Sequence, residues 1–244
     1  MELDTGIKRH YCFYTQEYDP TTKSGARRIN LLADLVREYL EPGGGTALDV
    51  GCGMGVSTAA LLAGGFQKVV GIDIQEDYIT KAKEYAARSG LQAKFRLMDI
   101  RDLGFDDGSF DAVAMLYNPL PHWSMDEMEV ILRECYRVLA PGGWIMVHYL
   151  DWVALLHEGY ANSLVEETES GYLVSHHAEL NTFEGYIRRL YTGPSEPRGF
   201  FAKFHLWAPW LLAYLMKKVG FTTIETEYVV GSRIAITTGE KKSS

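Results

Sequence analysis

Cysteine is scarce in this chain. Cys12, Cys52 and Cys135 are the only three among 244 residues, and they lie too far apart to form a C-x-x-C pair. That argues against a disulfide framework and against a cysteine-rich zinc site. Positive charge is also in short supply: 24 Lys and Arg face 32 Asp and Glu, for a net charge of -8. No basic footprint marks a nucleic-acid partner, and none is expected. Long apolar runs are missing too. The best candidate, residues 207–216, falls well short of the ~20 residues of a bilayer span and is broken by Pro209. The start, Met1-Glu2-Leu3-Asp4, has neither the basic opening nor the apolar stretch of a secretory signal. A cytoplasmic protein without membrane contact is the expectation. The histidines between residues 150 and 206 form no H-x-x-x-H pair, so no metal site is expected either.

What is present is an alternation of strand and helix patterns. A chain of this length can bury a substantial core as one domain, and we expect residues 1–244 to form one. Leu31, Leu32, Leu35, Val36 and Leu40 form a helical stripe that ends at Pro42-Gly43-Gly44-Gly45, so residues 1–45 read as an N-terminal helical cap. Residues 46–149 repeat a strand–helix unit, with strands at 46–50, 68–72, 93–98, 110–116 and 144–149. Helices are expected at 56–63, 77–88 and from the Ser124-Met125-Asp126-Glu127 capping box to Leu139. The pattern predicts an α/β fold, a doubly wound, Rossmann-like, mostly parallel sheet. The repetition lapses over 150–206, where helical pieces are expected near 152–166 and 182–190, and this stretch reads as a substrate lid inserted beside the ligand crevice. Residues 207–239 read as a C-terminal helix and a β-hairpin, which adds one reversed strand, and 240–244 as a solvated tail.

The most informative stretch is Asp49-Val50-Gly51-Cys52-Gly53-Met54-Gly55, where a strand runs into three alternating glycines and then a helix. Glycine permits a sharp turn and lets a ligand lie against bare backbone at a helix N-terminus. Asp49 places a carboxylate beside that loop, which repels phosphate and favours an ammonium or hydroxyl group. A cationic nucleoside cofactor is the implication. Asp73 ends the second strand, where an acid accepts hydrogen bonds from a ribose. Asp99 ends the third and can accept from an exocyclic amine, with Ile74 and Ile100 offering apolar faces for the ring.

Together with Arg137-Val138-Leu139-Ala140-Pro141-Gly142-Gly143, these motifs resemble the class I S-adenosylmethionine-dependent methyltransferases over residues 46–149. The resemblance implies a seven-stranded sheet with one antiparallel strand and S-adenosyl-L-methionine as cofactor. It implies that Gly51 and Gly53 approach the methionine part of that cofactor with the backbone of Cys52. It also implies that Asp73 holds the ribose, that Asp99 holds the adenine amine, and that Leu116 and Tyr117 border the sulfonium. Tyr117-Asn118-Pro119-Leu120-Pro121 departs from the Asn-Pro-Pro-aromatic motif of amino-group methyltransferases, because Leu120 and Pro121 replace the second proline and the aromatic. His122-Trp123 looks more like the small-molecule enzymes, whose N-terminal tyrosines Tyr14 and Tyr18 resemble loosely.

Methyl transfer needs alignment, exclusion of water and, for a protonated acceptor, a base. His122, His148 and Tyr14 are the catalytic candidates, with Asp151 available to orient an imidazole or bind an amine; packing or solvation is the stronger explanation for the two histidines and Asp151, and helix packing an equal one for Tyr14. Three other readings stay open. One is a cofactor-binding partner subunit, and another an N-methyltransferase of protein or nucleic acid. The third is a nicotinamide-dependent oxidoreductase, which the Val56 that ends the glycine pattern and the acid at Asp49 disfavour. The expected function is methyl transfer to an O or N atom of a small-molecule acceptor. Oligomeric state and the acceptor's identity are not legible.

Overall fold

A computed structural model describes residues 5–13, 15–40, 42–157, 162–168 and 171–243. Three helices, α1 (Thr5–Tyr11), α2 (Thr15–Tyr18) and α3 (Lys23–Leu40), precede the repeating unit. That unit comprises β1 (Thr46–Val50), α4 (Val56–Gly64), β2 (Lys68–Asp73), α5 (Glu76–Ser89), β3 (Ala93–Leu97), β4 (Phe110–Met115), α6 (Met125–Val138) and β5 (Leu139–Leu150). After an inserted segment, α8 (Pro209–Val219), β10 (Phe221–Tyr228) and β11 (Ile234–Lys241) complete the sheet. Its seven strands run in the order β3-β2-β1-β4-β5-β11-β10, with β11 antiparallel to both of its neighbours. This is the doubly wound, mostly parallel sheet that the sequence implies, including its one reversed strand.

Alternation along each strand sorts side chains to two faces. Leu48, Val50, Val113 and Met115 pack against Met128, Ile131 and Leu132 of α6 and Leu212 and Met216 of α8. Ala47, Ala112, Ala114 and Met146 face Val36 of α3 and Leu61 of α4. The small residues of this second face let two helices lie close to the sheet. β11 extends past the expected hairpin, and Lys241 is tied down by its ammonium donating to the carbonyls of Arg137 and Leu139. The expected solvated tail therefore starts later.

Residues 150–206 differ from expectation. Among the described residues of this stretch only α7 (Trp152–His157) is helical, and four antiparallel strands form a meander. Its strands are β6 (Ser163–Thr168), β7 (Gly171–Asn181), β8 (Tyr186–Gly193) and β9 (Glu196–His205). Period-two burial explains why: Leu173 and Ser175, then Ile187, Arg189 and Tyr191, then Phe200, Ala202 and Phe204 point inward. Buried Arg189 and Ser175 disguise this alternation in the sequence, since polar residues occupy core positions; Arg189 donates to the Ser175 hydroxyl and carbonyl. The inner face of the meander packs on Ile7 of α1 and on Trp152. No helix among the described residues is long and apolar enough to cross a membrane.

Candidate cofactor and acceptor site

A cavity of about 350 Å³ opens at the C-terminal ends of β1, β2, β3 and β4, the crevice where doubly wound sheets bind ligands. The glycine loop forms its floor. Gly51, Gly53 and Gly55 have φ of +72°, +51° and +99°, angles that side chains rarely adopt. The amides of Gly51 and Cys52 both donate to the Ile72 carbonyl at 2.9 Å, which folds the loop back over β2. A Cβ placed on Gly53 would meet nothing within 4 Å, so bare backbone faces the open space. Cys52 is buried, and burial raises its thiol well above the ordinary range, so no thiolate forms there.

Asp73 clamps this loop. Its carboxylate accepts from the Gly53 amide and from the Gln75 amide, both at 2.9 Å. Burial raises its pKa against the pull of those amides. Asp99 is held differently: Arg101 donates to it through its backbone amide at 3.0 Å, its Nε at 2.8 Å and its Nη2. The guanidinium beside Asp99 keeps that carboxyl below its usual value. Arg101 also reaches Glu127 at 3.2 Å, and Glu127 closes the Ser124 capping box that starts α6. Asp73, Ile74, Asp99, Ile100, Leu116 and Tyr117 all line the cavity, as do Gly51, Cys52 and Gly53.

Asp49 is a correction. It does not face the cavity but lies fully buried beneath the loop, on the α4 side of the sheet. Ser57 and Thr58 donate to its Oδ2 at 2.7 and 2.5 Å, while Oδ1 is buried with no partner among the described residues. Burial pushes its pKa up to about 7. Strand alternation accounts for this placement: Leu48 and Val50 point to α6, so Asp49 must point to α4.

The other end of the cavity is aromatic. Tyr11 and Tyr18 come from the N-terminal helices, and Tyr78, Tyr117, His122 and Trp123 from the core. Tyr11 packs edge-on against Tyr18 at 5.1 Å and His122 at 5.4 Å, and Tyr18 packs against Tyr117 at 5.3 Å. The Tyr11 hydroxyl is hydrogen-bonded to Nε2 of His122. Burial, then the neighbouring His10 and His205, pushes His122 down to about 3, so the ring is neutral. Its Nδ1 is buried without a partner among the described residues.

His148, the other histidine candidate, does not reach the cavity wall. It lies behind a strained turn in which Tyr117 and Asn118 have φ of +69° and +63°. Its Nδ1 accepts the Tyr117 amide at 3.2 Å, and its carbonyl accepts the Asn118 amide at 2.9 Å. Burial holds His148 near 4, which keeps Nδ1 free to accept. Arg28 caps the Tyr117 ring from 4.2 Å. Asp151 is committed elsewhere: it caps α7 through the Val153 and Ala154 amides and accepts from Tyr228 at 2.6 Å. Among the described residues it meets no imidazole, and it does not line the cavity. Tyr14 lies outside the described residues. The sequence reading missed Tyr78, Arg101 and Glu127; the capping box was the one signal that pointed toward Glu127.

Residues 47–143 match the methyltransferase domain family. A ubiquinone biosynthesis O-methyltransferase of Xanthomonas axonopodis pv. citri is 34% identical over 119 residues, 48% of this chain and 48% of that protein. The chain thus spans about half the length of the curated relatives it matches. The solved PH0226 protein of Pyrococcus horikoshii OT3 is 26% identical, with a TM-score of 0.77 over 96% of this chain and 99% of that one. CalS10, an amino pentose methyltransferase from Micromonospora echinaspora solved with S-adenosylmethionine bound, shares the fold. Its TM-score is 0.67 at 21% identity, over 94% of this chain and 96% of that one. Glycine loop, strand-end acids, sheet order and sequence likeness agree in supporting a class I S-adenosylmethionine-dependent methyltransferase fold, with residues 47–143 as the stretch that matches the methyltransferase domain family.

Proposed function

We propose that this protein transfers the methyl group of S-adenosylmethionine to an oxygen or nitrogen of a small-molecule acceptor. The observation that carries the reading is one cavity with two unlike ends: bare glycine backbone flanked by Asp73 and Asp99, and a cage of rings around His122. The residues fit the cofactor. Gly53 leaves room where a Cβ would stand. Asp73 and Asp99 accept two and three protein hydrogen bonds respectively, and a carboxylate has about four acceptor sites, so ribose and amine contacts remain available. When bound, S-adenosylmethionine supplies an electrophilic methyl on a sulfonium with a good leaving group. The chain's own task is to align the acceptor and keep water out. Tyr11, Tyr18 and Tyr117 do the latter; α1, which carries Tyr11, rests on the β7–β9 sheet, so 150–206 would support the site through α1, since none of its described residues lines the cavity. His122 touches the acceptor, and His148 positions Tyr117 rather than touching it.

The sugar N-methyltransferase KedS8 from Streptoalloteichus, which shares the fold, favours nitrogen and the O-methyltransferase of Xanthomonas favours oxygen, so both acceptor atoms stay within the proposal. Calorimetry of the purified protein with S-adenosylhomocysteine tests the reading. Heat with one-to-one stoichiometry is expected, and its absence, or a preference for a nicotinamide dinucleotide, overturns it.

A further inference from the structure

Resting on the cofactor reading above, we infer that Arg101 is a positioning residue that makes the cavity select an amino-substituted nucleobase over an oxo-substituted one. It acts through Asp99 and is itself held by Glu127.

The arrangement is a three-pronged fork. Nε of Arg101 donates to Oδ1 of Asp99 at 2.8 Å, Nη2 donates to Oδ2, and Nη1 donates to Oε1 of Glu127 at 3.2 Å. All three side chains line the cavity. The Arg101 amide adds a second bond to Oδ1 at 3.0 Å. Oδ1 therefore has both of its acceptor positions filled, and Oδ2 has one left open among the described residues. A lone Asp carboxylate turns easily about its last torsion. Against a planar guanidinium it cannot turn without losing two charge-assisted bonds at once. Those bonds also hold the carboxyl below its usual value, so it stays ionised and offers acceptor atoms only.

A base edge placed here meets one open acceptor and a guanidinium already bound to two acids. An exocyclic amine finds its partner at Oδ2. An oxo group in the same place sets oxygen against oxygen, and the cation that could receive it is engaged.

Glu127 keeps the fork in place. Its Oε2 accepts the Ser124 amide and hydroxyl, both at 3.0 Å, in the capping box that starts α6. Arg101 thus spans from the loop after β3 to the first turn of α6, and its long side chain is anchored at both ends. A bridge that served only to fasten loop to helix would change stability and leave the choice of base untouched.

That difference supplies the test. S-adenosylhomocysteine and S-inosylhomocysteine, in which oxygen replaces the adenine amine, are titrated calorimetrically and compared as a ratio of Kd values. The unaltered protein is expected to favour the adenosyl compound by about 10- to 100-fold, the worth of one hydrogen bond to a charged group. Arg101→Met keeps the apolar stem and removes the fork, and should reduce that ratio by at least ~5-fold. Arg101→Lys keeps the charge as a point donor that cannot grip both oxygens, so the ratio should remain low. Thermal unfolding of each variant reports the fold, and Arg101→Lys carries the test if Arg101→Met binds neither compound.

No preference in the unaltered protein, an unchanged ratio in Arg101→Met, or a full ratio in Arg101→Lys overturns the inference while the cofactor reading stands. Failure of S-adenosylhomocysteine to bind the unaltered protein overturns both.

Discussion

The floor and the roof of the cavity are built from different physics. The floor is backbone: three left-handed glycines, two amides on one carbonyl, and a carboxylate that clips Gly53 to the end of β2. Each of those groups is satisfied within a few residues or across one strand pair, so the floor keeps its shape without a ligand. The roof is side chain. Aromatic edges and one Tyr11–His122 hydrogen bond join α1 to the core, and α1 itself rests on an inserted sheet. A floor of this kind suits a constant cofactor. A roof of this kind can vary with the acceptor, because rings are exchanged more readily than strained backbone.

The largest effect should come from breaking the floor. Gly53→Val forces a β-branched residue into φ of +51° and projects its side chain into open cavity. The strain costs about 1–2 kcal/mol of stability, but the methyl groups stand where the cofactor must lie. Affinity for S-adenosylhomocysteine should fall by more than about 100-fold, with a folded protein by circular dichroism. Asp73→Ala should follow, since it leaves two part-buried amides without their acceptor, at about 1 kcal/mol each. Thermal unfolding should shift down, and cofactor affinity should drop by about 10- to 100-fold.

That contrast also explains what the sequence disclosed. Glycines at 51, 53 and 55, and acids closing β2 and β3, are local signals, because backbone angles and strand ends are set by near neighbours. Asp49 was read from the same motif and misplaced, since only strand alternation decides which side of the sheet it serves. The roof was illegible for a related reason. Arg189 and Ser175 sit at inward positions of the meander, so the period-two pattern that makes strands recognisable was interrupted by polar residues. The bonds of Arg101 to Glu127 and of Tyr11 to His122 join residues 26 and 111 positions apart, and no spacing rule reaches that far.

Acid should separate the two regions. His10 and His148, lowered to about 4, and His122, lowered to about 3, all hold depressed values in the folded chain. Between those values and the unfolded 6.5 the unfolded chain binds more protons, so their stabilisation is full above pH 6.5 and drains as pH falls. Asp49 runs the other way. Its pKa is raised from 3.8 to about 7, so it favours the folded state most at low pH and loses that advantage as pH rises through this window. Hydrogen exchange, corrected for its intrinsic pH dependence, should show the amides of α1, β8 and β9 opening on going from about pH 7 to about pH 5, with β1 and α4 unchanged. Equal loosening of both regions would mean that the histidines do not hold the roof.

The smallest effect is the most discriminating. Tyr11→Phe keeps the ring and its edge contacts with Tyr18 and His122, and removes only the hydroxyl that meets Nε2. One hydrogen bond is worth about 0.5–1.5 kcal/mol, or roughly 2- to 10-fold. If the roof serves the acceptor alone, that loss should raise the acceptor KM or lower kcat, and leave the S-adenosylhomocysteine Kd where it was. A parallel loss of cofactor affinity would mean that Tyr11 reaches through the cage to the floor, and that the two regions act as one.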